Sequence, residues 1–225
     1  MVDYIFASKK NYISNQLFDK LEKKYNIEFI FDKCKLEETI LNTNPKKIFF
    51  FHWSYIVPKN IYNNYECINI HTSNLPNGRG GSPLQNQILD NIICSRINAL
   101  KMTEKGIDAG PIYCYKEISL QGNIFDIWIT LGIVTYDLIC KILDKNLIPV
   151  EQENNCLKKY NRRKNNIIPF HNQSDLLKIY DFIRMLDFED YPSPYIQIGE
   201  FKLEFNRANF NGEEIISDVK ITKSL

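Results

Sequence analysis

Glycine is missing from the first third of this chain. None of the nine glycines precedes Gly78, and five of them fall between Gly78 and Gly110. A phosphate-cradling turn after a first strand, whether GxGxxG or a loop ending GKS or GKT, needs residues without a Cβ so that backbone can close on the ligand. The first 77 residues offer none, which argues against a glycine-loop dinucleotide site and against a P-loop.

The chain is otherwise of ordinary globular make-up, with 225 residues, 44% hydrophobic and 24% charged. That is ample for one packed core, or one domain plus an appendage. With 28 basic and 27 acidic residues the formal charge is +1, too weak a field to suggest a dedicated nucleic-acid binder. Six cysteines (Cys34, Cys67, Cys94, Cys114, Cys140, Cys156) include no CxxC pair and no His-x-Cys cluster. They are expected as small buried hydrophobes in a reducing compartment, with no metal site. The start, MVDYIFASKK, does not read as a signal peptide. The apolar stretch 124–143 is interrupted by Asp126, Thr130, Gly132, Thr135, Asp137 and Lys141, as in a core helix and not a membrane span. A cytoplasmic location, with no membrane partner, is expected.

Hydrophobic periodicity predicts an α/β fold. Apolar runs at 2–7, 27–31, 47–51 and 67–70 read as strands, separated by helical spacing at 15–24 and around Leu36, Ile40 and Leu41. Strands joined by helices imply crossovers and a mostly parallel, Rossmann-like sheet flanked by helices. A polar loop, 71–82, leads into a helix beginning at Ser82-Pro83, and strands at 93–102 and 111–120 flank the tight loop TEKGIDAG. After the helix at 124–143 the composition turns polar, so residues 1–150 are expected to form the core and 151–225 an extension. That extension is predicted as a surface linker to Asn172, a helix at 174–186 and a hairpin of strands 195–198 and 201–205.

Ligands of open α/β sheets bind beyond the carboxyl ends of the strands. There, Asn69 and His71 leave the same face of an extended segment. Together they can donate to a developing oxyanion and move a proton. By itself an N-x-H reads more simply as a hydrogen-bonded turn. Asp108, between Gly106 and Gly110, can orient an imidazole and raise its basicity, or it is merely a turn residue.

Together the runs NIHTSNLPNGRGGSP and GIDAGPI resemble the 10-formyltetrahydrofolate-dependent formyltransferase family, with its N-x-H-x-S-x-LP-x-x-R-G and G-x-D-x-G-x-I motifs. The match comprises Asn69, His71, Ser73, Leu75, Pro76, Arg79, Gly80, Gly106, Asp108, Gly110 and Ile112. The resemblance implies a catalytic triad of Asn69, His71 and Asp108, and 10-formyltetrahydrofolate as formyl donor. It also implies a folate pocket bordered by Phe51, His52, Trp53, Arg79, Gly80 and Gly106, although Trp53 and His52 read equally well as core packing. The HWSYIVP stretch, and Thr72 and Asn74 within the motif, depart from the commoner family pattern.

For the acceptor, the absent amino-terminal glycine loop disfavours a glycinamide ribonucleotide transformylase. Only 75 residues follow residue 150, fewer than the tRNA-holding domain of a methionyl-tRNA formyltransferase is expected to need. A formyltetrahydrofolate hydrolase is expected to carry a regulatory domain before its core. The remaining resemblance is to sugar N-formyltransferases acting on a nucleotide-diphosphate amino sugar, with Lys9, Ser73 and Asn74 as substrate contacts. Two short amphipathic strands cannot bury both faces alone, so a homodimer built on the hairpin is expected, and the near-zero charge leaves the expectation of no nucleic-acid partner. Two alternatives stay open: a methionyl-tRNA formyltransferase-like enzyme, and a binding protein of the same fold without turnover.

Overall fold

The computed structural model describes residues 2–153, 155–156, 158–170 and 175–223. Its first half runs β1 (Tyr4–Ser8), α1 (Tyr12–Leu21), β2 (Ile27–Ile30), α2 (Lys33–Thr43), β3 (Lys47–Phe51), α3 (Lys59–Asn64), β4 (Cys67–Thr72), β5 (Arg79–Gly80) and α4 (Pro83–Leu89). There follow β6 (Cys94–Lys101), β7 (Ile112–Ser119), α5 (Ile124–Lys145), β8 (Lys159–Tyr160), α6 (Leu176–Arg184), β9 (Tyr195–Ile198), β10 (Phe201–Phe210) and β11 (Ile215–Lys223).

The main sheet has the order β2-β1-β3-β4-β6-β7. Pairings from β2 through β4 are parallel, because helices join those strands, whereas β6 and β7 run antiparallel. Ile5, Phe6 and Ala7 on β1 and Ile48, Phe49 and Phe50 on β3 are all buried, the continuous apolar run of a strand covered on both faces. Phe6 and Phe49 face the cluster that holds α1 and α5, while Ile5, Ala7, Ile48 and Phe50 face α2 and α3. Helix starts follow their side chains: Asn11, Asp32 and Asn123 accept from Ser14, Cys34 and Asp126 backbone N–H groups, satisfying donors a helix leaves orphaned.

The extension is more deeply engaged than a linker. Ile179, Phe182, Ile183, Met185, Leu186 and Phe188 join the same buried cluster as α5, and Trp128 stacks on Phe188 at 5.1 Å and 13°. Strand β8, in the segment expected to be surface linker, pairs in parallel with β5 beside the glycine-rich loop. The start expected for the last helix at Ser174, and the linker end at Asn172, lie outside the described residues. The hairpin gains a third strand, β11, with order β11-β10-β9. A bulge between Asn206 and Asn209 and the adjacent Ile215 and Ile216 break the alternation that would have signalled it. The cysteines divide: Cys67 and Cys114 are buried as expected, whereas Cys34 and Cys94 are exposed.

Candidate active site

Strand β4 carries Asn69 and His71 to the carboxyl end of the sheet, and two buried amides hold the chain there. Asn98 Nδ2, on β6, donates to the carbonyls of His71 (3.1 Å) and Ser73 (2.7 Å). Gln87 Nε2 donates to the Thr72 carbonyl at 2.7 Å, while its oxygen accepts from Ser95 Oγ at 2.6 Å. The loop between β6 and β7 brings Asp108 opposite. Gly110 makes that approach sterically possible, since a Cβ there would stand 1.8 Å from the Lys101 carbonyl oxygen.

The three side chains meet. Asp108 Oδ1 accepts from Asn69 Nδ2 at 2.8 Å, and Oδ2 accepts from the Gly80 N–H at 3.0 Å. His71 Nδ1 lies 3.3 Å from Asp108 Oδ2, both side chains being about 5% exposed, at 5% and 6%. His71 Nε2 donates to the Gly78 carbonyl at 2.9 Å; a carbonyl only accepts, so this nitrogen carries hydrogen.

Behind the carboxylate, Gln152 Nε2 donates to the carbonyls of Asp108 (2.9 Å) and Gly110 (2.7 Å), and its oxygen accepts from Arg79 Nε and Nη2 at 3.2 and 2.8 Å. Arg79 therefore braces the Asp108 loop through Gln152, and the wall of the cavity on which the triad opens is formed by other residues. Nothing in the composition around Gln152 distinguished it from linker.

The triad opens on a cavity of about 1130 Å³, whose wall includes Asn69, His71, Asp108, Phe51, His52, Trp53, Gly80, Gly106 and Lys9. Trp53 is half-buried, edge-on to Phe50 at 5.9 Å and to Tyr55 at 5.4 Å. Ser73 and Asn74 stand off this wall: Ser73 is buried, 1% exposed, and Asn74 Nδ2 donates to the Cys94 carbonyl at 3.2 Å. The wall also takes in Trp128, Tyr191, Arg162 and Arg163. In the sequence Arg162 and Arg163 lie in a polar segment, Trp128 in a core helix and Tyr191 in a proline-flanked turn, none of which signals a cavity wall.

At the exit of β1, Lys9 is held by Asp190, Nζ to Oδ1 at 2.6 Å. His52 packs on Trp128 with centroids 4.4 Å apart. Asn11 Nδ2, which only donates, lies 3.3 Å from His52 Nδ1, so the neutral ring accepts there. Burial pulls the His52 pKa down to about 4, and nearby Lys9 and Arg162 push the same way against the attraction of Asp190.

Fold and site together define an α/β chain with a buried carboxylate–imidazole–amide cluster on the wall of a ligand-sized cavity. Residues 163–222 match the family described as methionyl-tRNA formyltransferase, C-terminal domain. The segment judged too short for such a domain is thus the one that carries this likeness. A methionyl-tRNA formyltransferase of Campylobacter lari is 28% identical over 214 residues, covering 91% of this chain and 66% of the relative. A solved methionyl-tRNA formyltransferase from Clostridium thermocellum is 37% identical over the whole of both chains, with a TM-score of 0.91. The chain belongs to the formyltransferase family. It spans about three fifths of the length of curated relatives it matches, from 58% to 66% for three of them. An N-formyltransferase from Helicobacter canadensis, solved with folinic acid and dTDP-3-aminofucose, shares the fold at 18% identity and a TM-score of 0.66, covering 98% of this chain and all of that one.

Proposed function

We propose that this chain transfers a formyl group from 10-formyltetrahydrofolate to a primary amine. The observation that carries the reading is the convergence of Asn69, His71 and Asp108 on one cavity wall. The donor supplies an activated formyl carbon, and the residues do the rest. Asn69 keeps one amide N–H beyond the one given to Asp108, for the formyl oxygen as negative charge gathers on it. Asp108, oriented by the Asn69 amide and the Gly80 N–H, takes the proton that the amine releases as its bond to carbon forms, and the protonated carboxyl can then donate to His71 Nδ1. That proton then passes to the donor nitrogen as the old carbon–nitrogen bond breaks. Phe51, Trp53, Gly80 and Gly106 offer a flat ring both aromatic surface and backbone groups to read its edge.

For the acceptor, the aminoacyl end of a transfer RNA is the reading that the named relatives favour. A second reading, a nucleotide-linked amino sugar, draws on the carboxy-terminal sheet. Its Lys202, Arg207, Lys220 and Lys223 all lie on carboxylates, those of Glu204, Asp218, Glu204 and Glu200, so among the described residues no basic stripe is left unpaired there for a polyanion. The same sheet leaves Ile198, Phe201, Val219 and Ile221 exposed, and pairing with a second copy over this face belongs to the proposal.

The test is incubation with 10-formyltetrahydrofolate and either methionyl-tRNA or a panel of nucleotide-linked amino sugars. Tetrahydrofolate release and a formylated product are expected from one of the two. Folate binding with no turnover on any acceptor overturns the enzyme reading, and a monomeric mass at micromolar concentration overturns the dimer.

A further inference from the structure

Strands β2, β1 and β3 are parallel neighbours, so their exits lie side by side at one end of the sheet, and the exits of β1 and β3 reach the cavity wall at Lys9 and Trp53. Each exit carries a large apolar or basic side chain that the core does not use. Phe31, just past β2, is 51% exposed, and Tyr55, past β3, is 50% exposed. Lys10, past β1, sits over the Phe31 ring at 5.1 Å, and Lys33, in the first turn of α2, sits over Tyr55 at 4.8 Å. The ridge runs into the cavity, because Trp53, Tyr55, Ile56 and Lys59 are also part of its wall.

Charge pairing separates these lysines from their neighbours. Lys9 is taken by Asp190 and Lys59 by Glu104. Lys10 and Lys33 form no salt bridge among the described residues. Asp32, the carboxylate next to Lys33 in sequence, caps α2 by accepting from the Cys34 N–H at 2.9 Å. An ammonium resting on an exposed ring stays well solvated and is held only weakly, so each lysine can leave its ring at small cost. Half-exposed aromatic rings alternating with uncommitted lysines form the surface on which nucleotides stack a base and set down a phosphate. The net charge of +1 conceals this because the basic excess is local.

We propose that Phe31, Tyr55, Lys10 and Lys33 form a nucleotide-binding ridge that holds the nucleotide part of the acceptor beside the cavity. In the bound state a base takes the place of a lysine on Phe31 or Tyr55, and the freed ammonium moves to the adjacent phosphate. The inference deepens the proposed formyl transfer and rests on it for the word acceptor, but not for the binding itself. A single-stranded RNA 3′ end and a free nucleoside diphosphate present the same chemistry.

The experiment measures equilibrium binding of two probes, a short single-stranded RNA oligonucleotide and a nucleoside diphosphate, to the full chain and to Phe31→Ala, Tyr55→Ala and the double variant Lys10→Glu/Lys33→Glu. A folate analogue serves as control for Phe31→Ala, since Phe31 lies outside the cavity. For at least one probe, each ring substitution is expected to weaken binding roughly tenfold. The charge reversals are expected to weaken it more and to flatten its salt dependence. Phe31→Ala should bind the folate analogue unchanged. Loss confined to the RNA assigns the ridge to a nucleic-acid acceptor, and loss confined to the diphosphate assigns it to a nucleotide-linked one; both support the ridge. Unchanged affinity of both probes in all variants overturns it, as does failure of the full chain to bind either probe at millimolar concentration. If formyl transfer is absent from every acceptor while ridge substitutions still weaken a probe, the enzyme reading falls and the ridge stands.

Discussion

Asp108 gathers three contacts at one carboxylate, from Asn69, from the Gly80 N–H and from His71. Replacing it by Asn keeps its size and removes its capacity to take a proton. Asp108→Asn is therefore expected to lower kcat/KM for formyl transfer by ~10³-fold with the thermal midpoint little changed, on the scale of losing a general base. Asn69→Ala, which removes a donor to the formyl oxygen, is expected to cost about 10²-fold or more. Retention of near-full activity by either variant contradicts these roles. His52 makes a different prediction, about stability. Its pKa is pulled down to about 4 by burial, against an ordinary value of about 6.5, so the unfolded chain takes up the proton first. This contribution is complete above pH ~6.5 and is lost as the pH falls toward 4. Urea midpoints measured across that window should decline, and in His52→Gln the part of the decline due to this ring should vanish.

Elements converge on the site through backbone contacts as much as side chains. Strand β8 runs against β5 so closely that a Cβ on Gly80 would lie 2.2 Å from the Tyr160 carbonyl oxygen, and Gly80 has φ of +110°. Because the Gly80 N–H also donates to Asp108, Gly80→Ala is expected to lower both the melting temperature and the rate. At Gly106 a Cβ would meet nothing within 4 Å, although φ is +119°. Gly106→Ala should therefore carry only the backbone strain, about 1–3 kcal/mol. Thermal scans of the two variants check the order, and Gly80→Ala melting above Gly106→Ala contradicts it. The expected linker hid this element because a two-residue strand leaves no periodicity to detect; only its partner gives it a place.

For the whole molecule the decisive feature is the shared core. Phe182, Ile183 and Met185 of the extension are buried with Trp128, Leu131 and Leu138 of α5, so a chain ending at residue 150 exposes the apolar faces that they cover. Truncation there is expected to abolish the single cooperative urea transition of the full chain, followed by circular dichroism. A sharp transition at an unchanged midpoint in the fragment would show an independent core. Much of this architecture was legible in the residues themselves. Buried runs such as Ile5 to Ala7 and Ile48 to Phe51 determine strands, helical spacing between them determines parallel crossovers, and Asn69 and His71 two apart on a strand determine a shared face. These are short-range consequences of the period of the backbone and the burial of apolar side chains. The motif resemblance brought Asn69, His71 and Asp108 together in advance, but tertiary structure alone decided which other distant groups meet: Gln152 under the Asp108 loop, Asp190 on Lys9, and Lys33 over Tyr55. Those pairings depend on strand order and on how loops close over the sheet edge, and a one-dimensional pattern of hydrophobicity carries no information about either.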